Sequence, residues 1–550
     1  MREAALYKVP YPRPMKFDQS MILRDESRVC ATPPVGALRV AVGYPNSYFV
    51  AMSSLAFQWV VELTAAVEDV GVERFFTDPP LLGRTLEAGS HLGDFDVLAW
   101  TCSFELDAPN ILATLDAAGI PRRSVDRDQS HPMVVVGGAV ASINPLPLSP
   151  AVDVFVLGSA ELLWPEFLEL MHDEPDRERA LEVLAARDGF LVPRHHLDAN
   201  GVPLGKRRRV EKRDAHMLNP AMVPGSHIVT PHTEYSGRGL VEMSRGCPEK
   251  CRYCWVSYNY GKLRSYATDG IMERVERLQA ITQRIGFVAT AVGDHPELAI
   301  ILEECRRRGL EVALSSLRIP AMQREILEPL AASGARSVTI APETGTDELR
   351  RALNKPITNA AILEAVETAQ ACGIENIKMY FIIGLPGETD DDLRGIADLL
   401  RRAQALMVAH GRERGRVGAL LAGFNVLVPK PYTPYSKEAM LSRREAKRRM
   451  AVVEAAAADI SNLQIDRPSY RQAQWQAYLS RGDISVYGAL EDAASGKNLG
   501  GLLAAHRSAV DASTLHAVEG HPIWQFVVSA PVNPIPAVAE VNASRRPVVG

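Results

Sequence analysis

The chain has 550 residues, 47% of them hydrophobic, with a formal net charge of -5 and seven cysteines. At about 150 residues per domain, that length implies three or four domains with ample apolar material for their cores. The charge gives no general attraction to nucleic acid or anionic lipid. No apolar run reaches the roughly 18 residues of a membrane span, and the first residues lack a signal-peptide pattern.

Residues 1–36 read as an irregular, proline-bearing leader. From 37 to 200, apolar strand patterns at 38–42, 97–100, 133–136 and 154–157 alternate with helical spacing at 53–70, 108–118 and 161–171. Such alternation predicts a parallel sheet with helices on both faces, whose ligands sit beyond the C-terminal strand ends. Small and polar residues fall at those ends: Tyr44-Pro45-Asn46-Ser47, Thr101-Cys102-Ser103-Phe104, Gly137-Gly138 and Gly158-Ser159-Ala160-Glu161. Glycine there lets the backbone approach a large flat ligand. Residues 201–235 form a linker holding the basic run Lys206-Arg207-Arg208-Arg209-Val210-Glu211-Lys212-Arg213. Such a run can contact phosphates, but in a chain of negative charge it reads as a solvated connector, and nucleic acid is not an expected partner.

From 236 to 435 a strand-then-helix rhythm has strands at 240–243, 286–290, 311–315, 337–340, 378–383 and 423–428. The first strand runs into Arg245-Gly246-Cys247-Pro248-Glu249-Lys250-Cys251-Arg252-Tyr253-Cys254. Three thiolates from one short loop can hold three irons of a cubane and leave the fourth iron open for chemistry. A structural zinc site would want a fourth ligand at matching spacing, and no second Cys or His pair follows nearby. Cys30, Cys102, Cys305 and Cys372 are scattered without a disulfide framework, as expected of a reduced, cytoplasmic protein.

Polar turns follow the later strands. After the second comes Val292-Gly293-Asp294-His295. After the third comes Ser315-Ser316-Leu317-Arg318, where a guanidinium can clamp a carboxylate through two parallel hydrogen bonds. The fourth leads to Ala341-Pro342-Glu343-Thr344-Gly345 and the fifth to Gly384-Leu385-Pro386-Gly387-Glu388-Thr389. Plainer roles are open for each: a surface ion pair for Arg318, helix N-terminal charges for Glu343 and Glu388, a simple loop position for His295. The run Pro429-Lys430-Pro431-Tyr432-Thr433-Pro434-Tyr435 marks an exit from regular structure. Residues 436–550 form a small, mostly helical accessory region, with a helix over 437–460 and Arg481-Gly482-Asp483 after it; the last forty residues are uninformative.

The cysteine spacing, with an aromatic Tyr253 before the last thiol, resembles the signature of the radical S-adenosylmethionine (SAM) superfamily. The resemblance implies a [4Fe-4S] cluster on Cys247, Cys251 and Cys254. Its open iron chelates SAM, which one electron cleaves to a 5'-deoxyadenosyl radical. It also implies a partial (β/α)6 barrel and an electron donor such as flavodoxin or ferredoxin. Carried over residue by residue, Tyr253 lies against adenine, Gly293 and Asp294 meet the cofactor's amino group although the usual Gly-Gly-Glu is absent, and Ser316 and Arg318 face its carboxylate. Glu343 accepts from ribose, and Gly384 and Pro386 form the adenine-side turn.

The unit ahead of the cysteines resembles the flavodoxin-like (Rossmann-like) cobalamin-binding domain of cobalamin-dependent radical SAM enzymes, with Ser103, Gly137, Gly138 and Gly158 in the corresponding turns. It departs in having no Asp-x-His-x-x-Gly motif after the first strand, so no histidine is offered there as a lower axial ligand to cobalt. Many radical members share that lack, and a flavodoxin-like domain that has lost its ligand is the plainer alternative. The likeness covers roughly residues 37 to 510. It implies a cobalamin-dependent radical SAM enzyme that methylates an unactivated carbon. The alternatives are a radical rearrangement, cyclisation or sulfur insertion without methyl transfer, or a non-enzymatic iron-sulfur or cobalamin sensor. The substrate is not legible.

Overall fold

The computed structural model describes residues 18–528, apart from 31, 34, 205–208, 216, 217, 522, 523, 525 and 526. The first unit is built on strands β1 (Leu38–Gly43), β2 (Val70–Phe75), β3 (Val97–Thr101), β4 (Met133–Gly137), β5 (Val154–Val156) and β6 (Phe190–Leu191). Their spatial order is β2-β1-β3-β4-β5-β6, parallel except for β6. This flavodoxin-like order reverses between β1 and β3, which places the ligand crevice at their C-terminal ends. Side chains alternate across each strand. Val97 and Ala99 join a core with Val135, Leu163 and Phe167 on one face, while Leu98 and Trp100 join Val134 and Phe155 on the other.

Helices α1 (Leu55–Ala65), α2 (Ala108–Ala117) and α3 (Ala160–Asp173) cover the sheet. The helix expected over 53–70 therefore ends early, and β2 begins at Val70. Asp69, at φ 57°, makes the turn between them. Strand β2 is buried along its whole length, so it shows no alternation. Its buried Arg74 is neutralised by Glu26 at 2.8 Å and Glu87 at 2.6 Å.

The end of the basic run is not a solvated connector, although Arg209 and Glu211 are exposed. Arg213 adds to the sheet edge, its N–H donating to Leu157 O at 3.1 Å and its carbonyl accepting from Ser159 N–H at 2.9 Å. Its guanidinium pairs with Glu166 at 2.5 Å, and Lys212 with Asp214 at 3.0 Å. Lys206, Arg207 and Arg208 lie outside the described residues.

The second half carries β7 (Gly239–Arg245), β8 (Arg284–Ala289), β9 (Glu311–Leu314), β10 (Ser337–Glu343), β11 (Asn376–Ile383), β12 (Leu420–Val426) and β13 (Leu463–Asp466). These alternate with α4 (Trp255–Asn259), α5 (Thr268–Gln279), α6 (Leu298–Arg307), α7 (Arg324–Ala332), α8 (Asn359–Ala371) and α9 (Asp390–Glu413). Strands β7, β8 and β9 form one parallel ladder and β10 to β13 another. No ladder joins β9 to β10, but a bond from Leu317 N–H to Thr339 O at 2.9 Å crosses between them. Strand β11 alternates buried Ile377, Met379, Phe381 and Ile383 with half-buried Lys378, Tyr380 and Ile382, so one face packs on helices while the other lines the concave side.

After the strands, α10 (Arg443–Ala456) is shorter than the helix expected over 437–460, because Ser442 caps it through Glu445 N–H at 3.2 Å. Helices α11 (Tyr470–Arg481) and α12 (Tyr487–Ala494) return to the first unit. Trp475, Tyr478, Tyr487 and Leu490 share a core with Trp100 and Leu112. A buried polar junction pins them: Glu105 accepts from Lys430, from Ser480 Oγ at 2.7 Å and from Gln476 Nε2 at 3.0 Å. Within Arg-Gly-Asp, Arg481 is buried and donates to Glu438 O at 2.6 Å, and Gly482 O accepts from Asn144 Nδ2 at 2.7 Å.

Candidate functional site

The cysteine loop leaves the C-terminal end of β7 through Gly246, at φ 80°, where a Cβ would meet Lys262 O at 2.3 Å. Backbone bonds then hold it: Cys247 N–H to Gly261 O at 3.2 Å, Arg252 N–H to Leu353 O at 2.9 Å and Cys254 N–H to Cys251 O at 3.0 Å. Cys251 is buried, Cys247 and Cys254 are half-buried, and none of the seven cysteines is in a disulfide. Burial pushes the Cys251 thiol up to about 12. Among the described residues no three His, Cys, Asp or Glu side chains converge as a single metal ion would require. A cubane makes a different demand, since each thiolate binds its own iron.

The polar turns of β8 to β11 gather around this loop. Arg318 pairs with Asp294 at 2.5 Å and with Glu249 inside the cysteine loop. Asp294 Oδ2 is buried without a donor among the described residues. Glu343 sits at φ 67° and is buried; its Oε1 accepts from Tyr253 Oη at 2.6 Å and from Lys355 Nζ at 2.7 Å. Tyr253 packs on Leu349, Leu353, Leu385, Leu427 and Tyr435, which brings its ring to the 384–387 turn. Within that turn Gly384 has φ 91°, and its N–H donates to Glu388 Oε2 at 2.9 Å. Burial raises the Glu388 carboxyl to about 7 despite Arg449 at 2.7 Å. Gly293 is small because a Cβ would meet that of Ala321 at 2.3 Å. Ser316 is exposed, whereas its neighbour Ser315 faces the adjoining cavity. His295 is a buried structural residue bonded to Tyr266 O at 2.9 Å.

That cavity, of about 450 Å³, lies between the two halves. The first unit contributes Trp59, Ala99, Thr101, Gly137, Gly138, Gly158, Glu161 and Trp164, and the second Glu242, Ser244, Arg245, Gly246, Thr290 and Ser315. The two structures meet at Arg245 and Gly246, which line the cavity and immediately precede Cys247. Thr290 Oγ1 donates to Gly246 O, fixing this junction from β8.

The three glycines differ. At Gly137 a Cβ would find nothing nearer than Val156 at 3.9 Å. At Gly138, φ 93°, it would meet Cys102 O at 2.7 Å, and at Gly158, φ 145°, Arg213 O at 2.0 Å. Gly138 and Gly158 therefore serve backbone packing, and Gly137 alone serves open space. Ser103 does not line the cavity. Among the described residues no histidine does either. Trp59 Nε1, Trp100 Nε1, Thr101 Oγ1, Glu161 Oε2 and Ser244 Oγ are buried in its walls without a partner among the described residues, a set of unmet polar groups suited to a large ligand that carries amides.

Residues 241–400 match the family described as the radical SAM superfamily, and residues 57–193 the one described as radical SAM proteins, N-terminal. An uncharacterised protein of Methanocaldococcus jannaschii is 23% identical over 81% of this chain and 89% of its own length. An uncharacterised methyltransferase of Pyrococcus horikoshii is 22% identical over 53% of this chain, and the match covers 63% of that protein. The ribosomal protein uS12 methylthiotransferase RimO of Desulfotalea psychrophila is 27% identical over 30% of this chain and 40% of its own. In fold, the chain is similar to the radical SAM methyltransferase TsrM of Kitasatospora setae, solved with cobalamin and a [4Fe-4S] cluster bound. The TM-score is 0.51 and the identity 18%, over 74% of this chain and 75% of that one.

Proposed function

We propose that this chain, a radical SAM protein by its matched segments, is a cobalamin-dependent enzyme that methylates an unactivated carbon. The observation that carries the reading is the shared wall: one cavity joins the ligand crevice of the flavodoxin-like sheet to the backbone of the cysteine loop. The fold likeness to TsrM supports the same cofactor set. In this reading residues 37–200 form the corrinoid-binding domain and 236–435 a partial barrel of six strands.

When bound, the cluster with SAM supplies homolytic bond cleavage, and the corrinoid supplies a methyl carrier. The chain's own residues position them. Cys247, Cys251 and Cys254 hold the cluster. Arg318, which pairs with Glu249 and Asp294, would hold the SAM carboxylate, and Asp294, whose Oδ2 has no donor among the described residues, would hold the amino group. Glu343, fixed by Tyr253 and Lys355, would accept from the ribose hydroxyls, and the 384–387 turn would lie against adenine. The apolar wall of Trp59, Val135, Val156 and Trp164 keeps water from the corrinoid face.

The test is anaerobic reconstitution with SAM bearing a deuterated methyl group, followed by assay of 5'-deoxyadenosine and of methyl transfer to cobalamin. Wild-type protein gives both, and Cys251→Ala gives no 5'-deoxyadenosine. Full 5'-deoxyadenosine formation by Cys251→Ala would refute the cluster assignment. The matches to RimO and to the tRNA-2-methylthio-N(6)-dimethylallyladenosine synthase of Acidothermus cellulolyticus favour sulfur insertion as a second reading; product mass separates the two.

A further inference from the structure

Resting on the corrinoid reading of the cavity, we infer that Glu161 makes the site selective for corrinoids whose rim carries carboxamides over those whose rim carries carboxylates. Glu161 stands in the first turn of α3 and its side chain is only 9% exposed. Its Oε1 accepts from Arg245 Nη1 at 2.5 Å. Among the described residues its Oε2 has no donor.

Arg245 has little more to give. Its Nε donates to both oxygens of Glu242, at 3.1 and 2.9 Å, and its Nη2 lies 2.8 Å from Glu242 Oε2. One guanidinium thus serves two carboxylates, and its donors are used up before Glu161 Oε2 is reached. Asp214, also in the lining, is paired with Lys212 at 3.0 Å. The other lining cation, Arg264, is committed to the backbone oxygens of Ala215 and Tyr260.

A buried carboxylate oxygen without a donor is costly, and a ligand N–H relieves that cost with a charge-assisted bond. A ligand carboxylate at the same place would add like charge in a desolvated wall. A primary amide on the corrin rim fits, and the corresponding acid does not. Glu161 is in this account a positioning and specificity residue, acting on the ligand's rim.

The experiment compares anaerobic binding of three probes by absorbance titration: hydroxocobalamin, cobinamide, which keeps the amides but lacks the nucleotide tail, and cobyrinic acid, whose rim bears carboxylates. The wild-type protein is expected to bind cobinamide at least roughly tenfold more tightly than cobyrinic acid, the factor that one hydrogen bond to a charged group supplies. Glu161→Gln, which keeps the shape and can turn an N–H toward the ligand, should shrink that ratio to near unity. Iron content and circular dichroism should not change. Equal binding of the two probes by the wild-type protein, or an unchanged ratio in Glu161→Gln, overturns the inference and leaves the corrinoid reading standing. Failure of the wild-type protein to bind any of the three overturns the corrinoid reading and this inference with it.

Discussion

Gly137 and Gly138 are neighbours that the structure assigns different work, and substitution separates them. Gly138 sits at φ 93° with the Cys102 carbonyl 2.7 Å from where a Cβ would go. Gly138→Ala therefore carries left-handed backbone strain of about 1–3 kcal/mol before the carbonyl contact is counted. At roughly 2–4 °C per kcal/mol for a domain of this size, the melting temperature of the apoprotein should fall by several degrees. Gly137 is an ordinary strand residue whose nearest neighbour to a Cβ is Val156 at 3.9 Å. Alanine there should leave stability within about 0.5 kcal/mol, the usual range for a change that meets nothing. Leucine at 137 projects into the cavity and competes with a ligand for its volume. Differential scanning fluorimetry of the apoproteins with anaerobic hydroxocobalamin titration reads both effects. Gly137→Leu should fold normally and lose corrinoid binding, whereas Gly138→Ala should lose stability. A Gly137→Leu protein that binds hydroxocobalamin as the wild type does would refute the assignment of this cavity.

Arg318→Ala should weaken SAM binding by about 1.5–3 kcal/mol, the worth of a hydrogen bond to a charged group, with cluster iron unchanged; calorimetry on reconstituted protein checks it. Lys430→Met strands the buried Glu105 carboxylate, and breaking a buried pair from one side costs about 3–5 kcal/mol, so the C-terminal helices should loosen, read as faster proteolysis within residues 443–494. Burial alone would push Glu105 up, but the Lys430 ammonium holds it below the usual carboxylate range. That junction's stabilisation is therefore present above the ordinary glutamate pKa and lost as pH falls through the depressed value. Glu388 has the opposite sign: raised from 4.5 to about 7 by burial, it favours the fold below pH 4.5 and loses that contribution as pH rises to 7. Glu388→Gln should flatten the fall in melting temperature across that window.

Much of the architecture was legible because its signals are local. The cysteine spacing, six of the seven strands of the second half and the turns that follow them depend on neighbouring residues, and each lies where alternation or composition indicates; β13 had no such signal. Strand β2 was hidden because both its faces are buried and Arg74 and Glu73 interrupt its apolar run; the ion pairs that permit this come from Glu26 and Glu87, distant from any local pattern. Lys355, Glu249 and Arg245 escaped notice as site residues for a similar reason. Only the fold shows that Lys355 reaches Glu343, that Glu249 meets Arg318, and that Arg245 bridges Glu161 and Glu242. Trp59 and Trp164 read as helix core, and they also form cavity wall. The accessory region read as separate because nothing local says that Trp475 and Tyr487 pack on a sheet nearly four hundred residues earlier in the chain.

The central claim is that a corrinoid occupies the cavity beside the cysteine loop, and electron paramagnetic resonance of protein-bound cob(II)alamin tests it most directly. With no histidine among the described residues of the lining, the signal should show no nitrogen triplet splitting from the protein, and Gly137→Leu should abolish the bound signal. A triplet arising from a protein nitrogen, or a bound signal that persists in Gly137→Leu, would contradict the account.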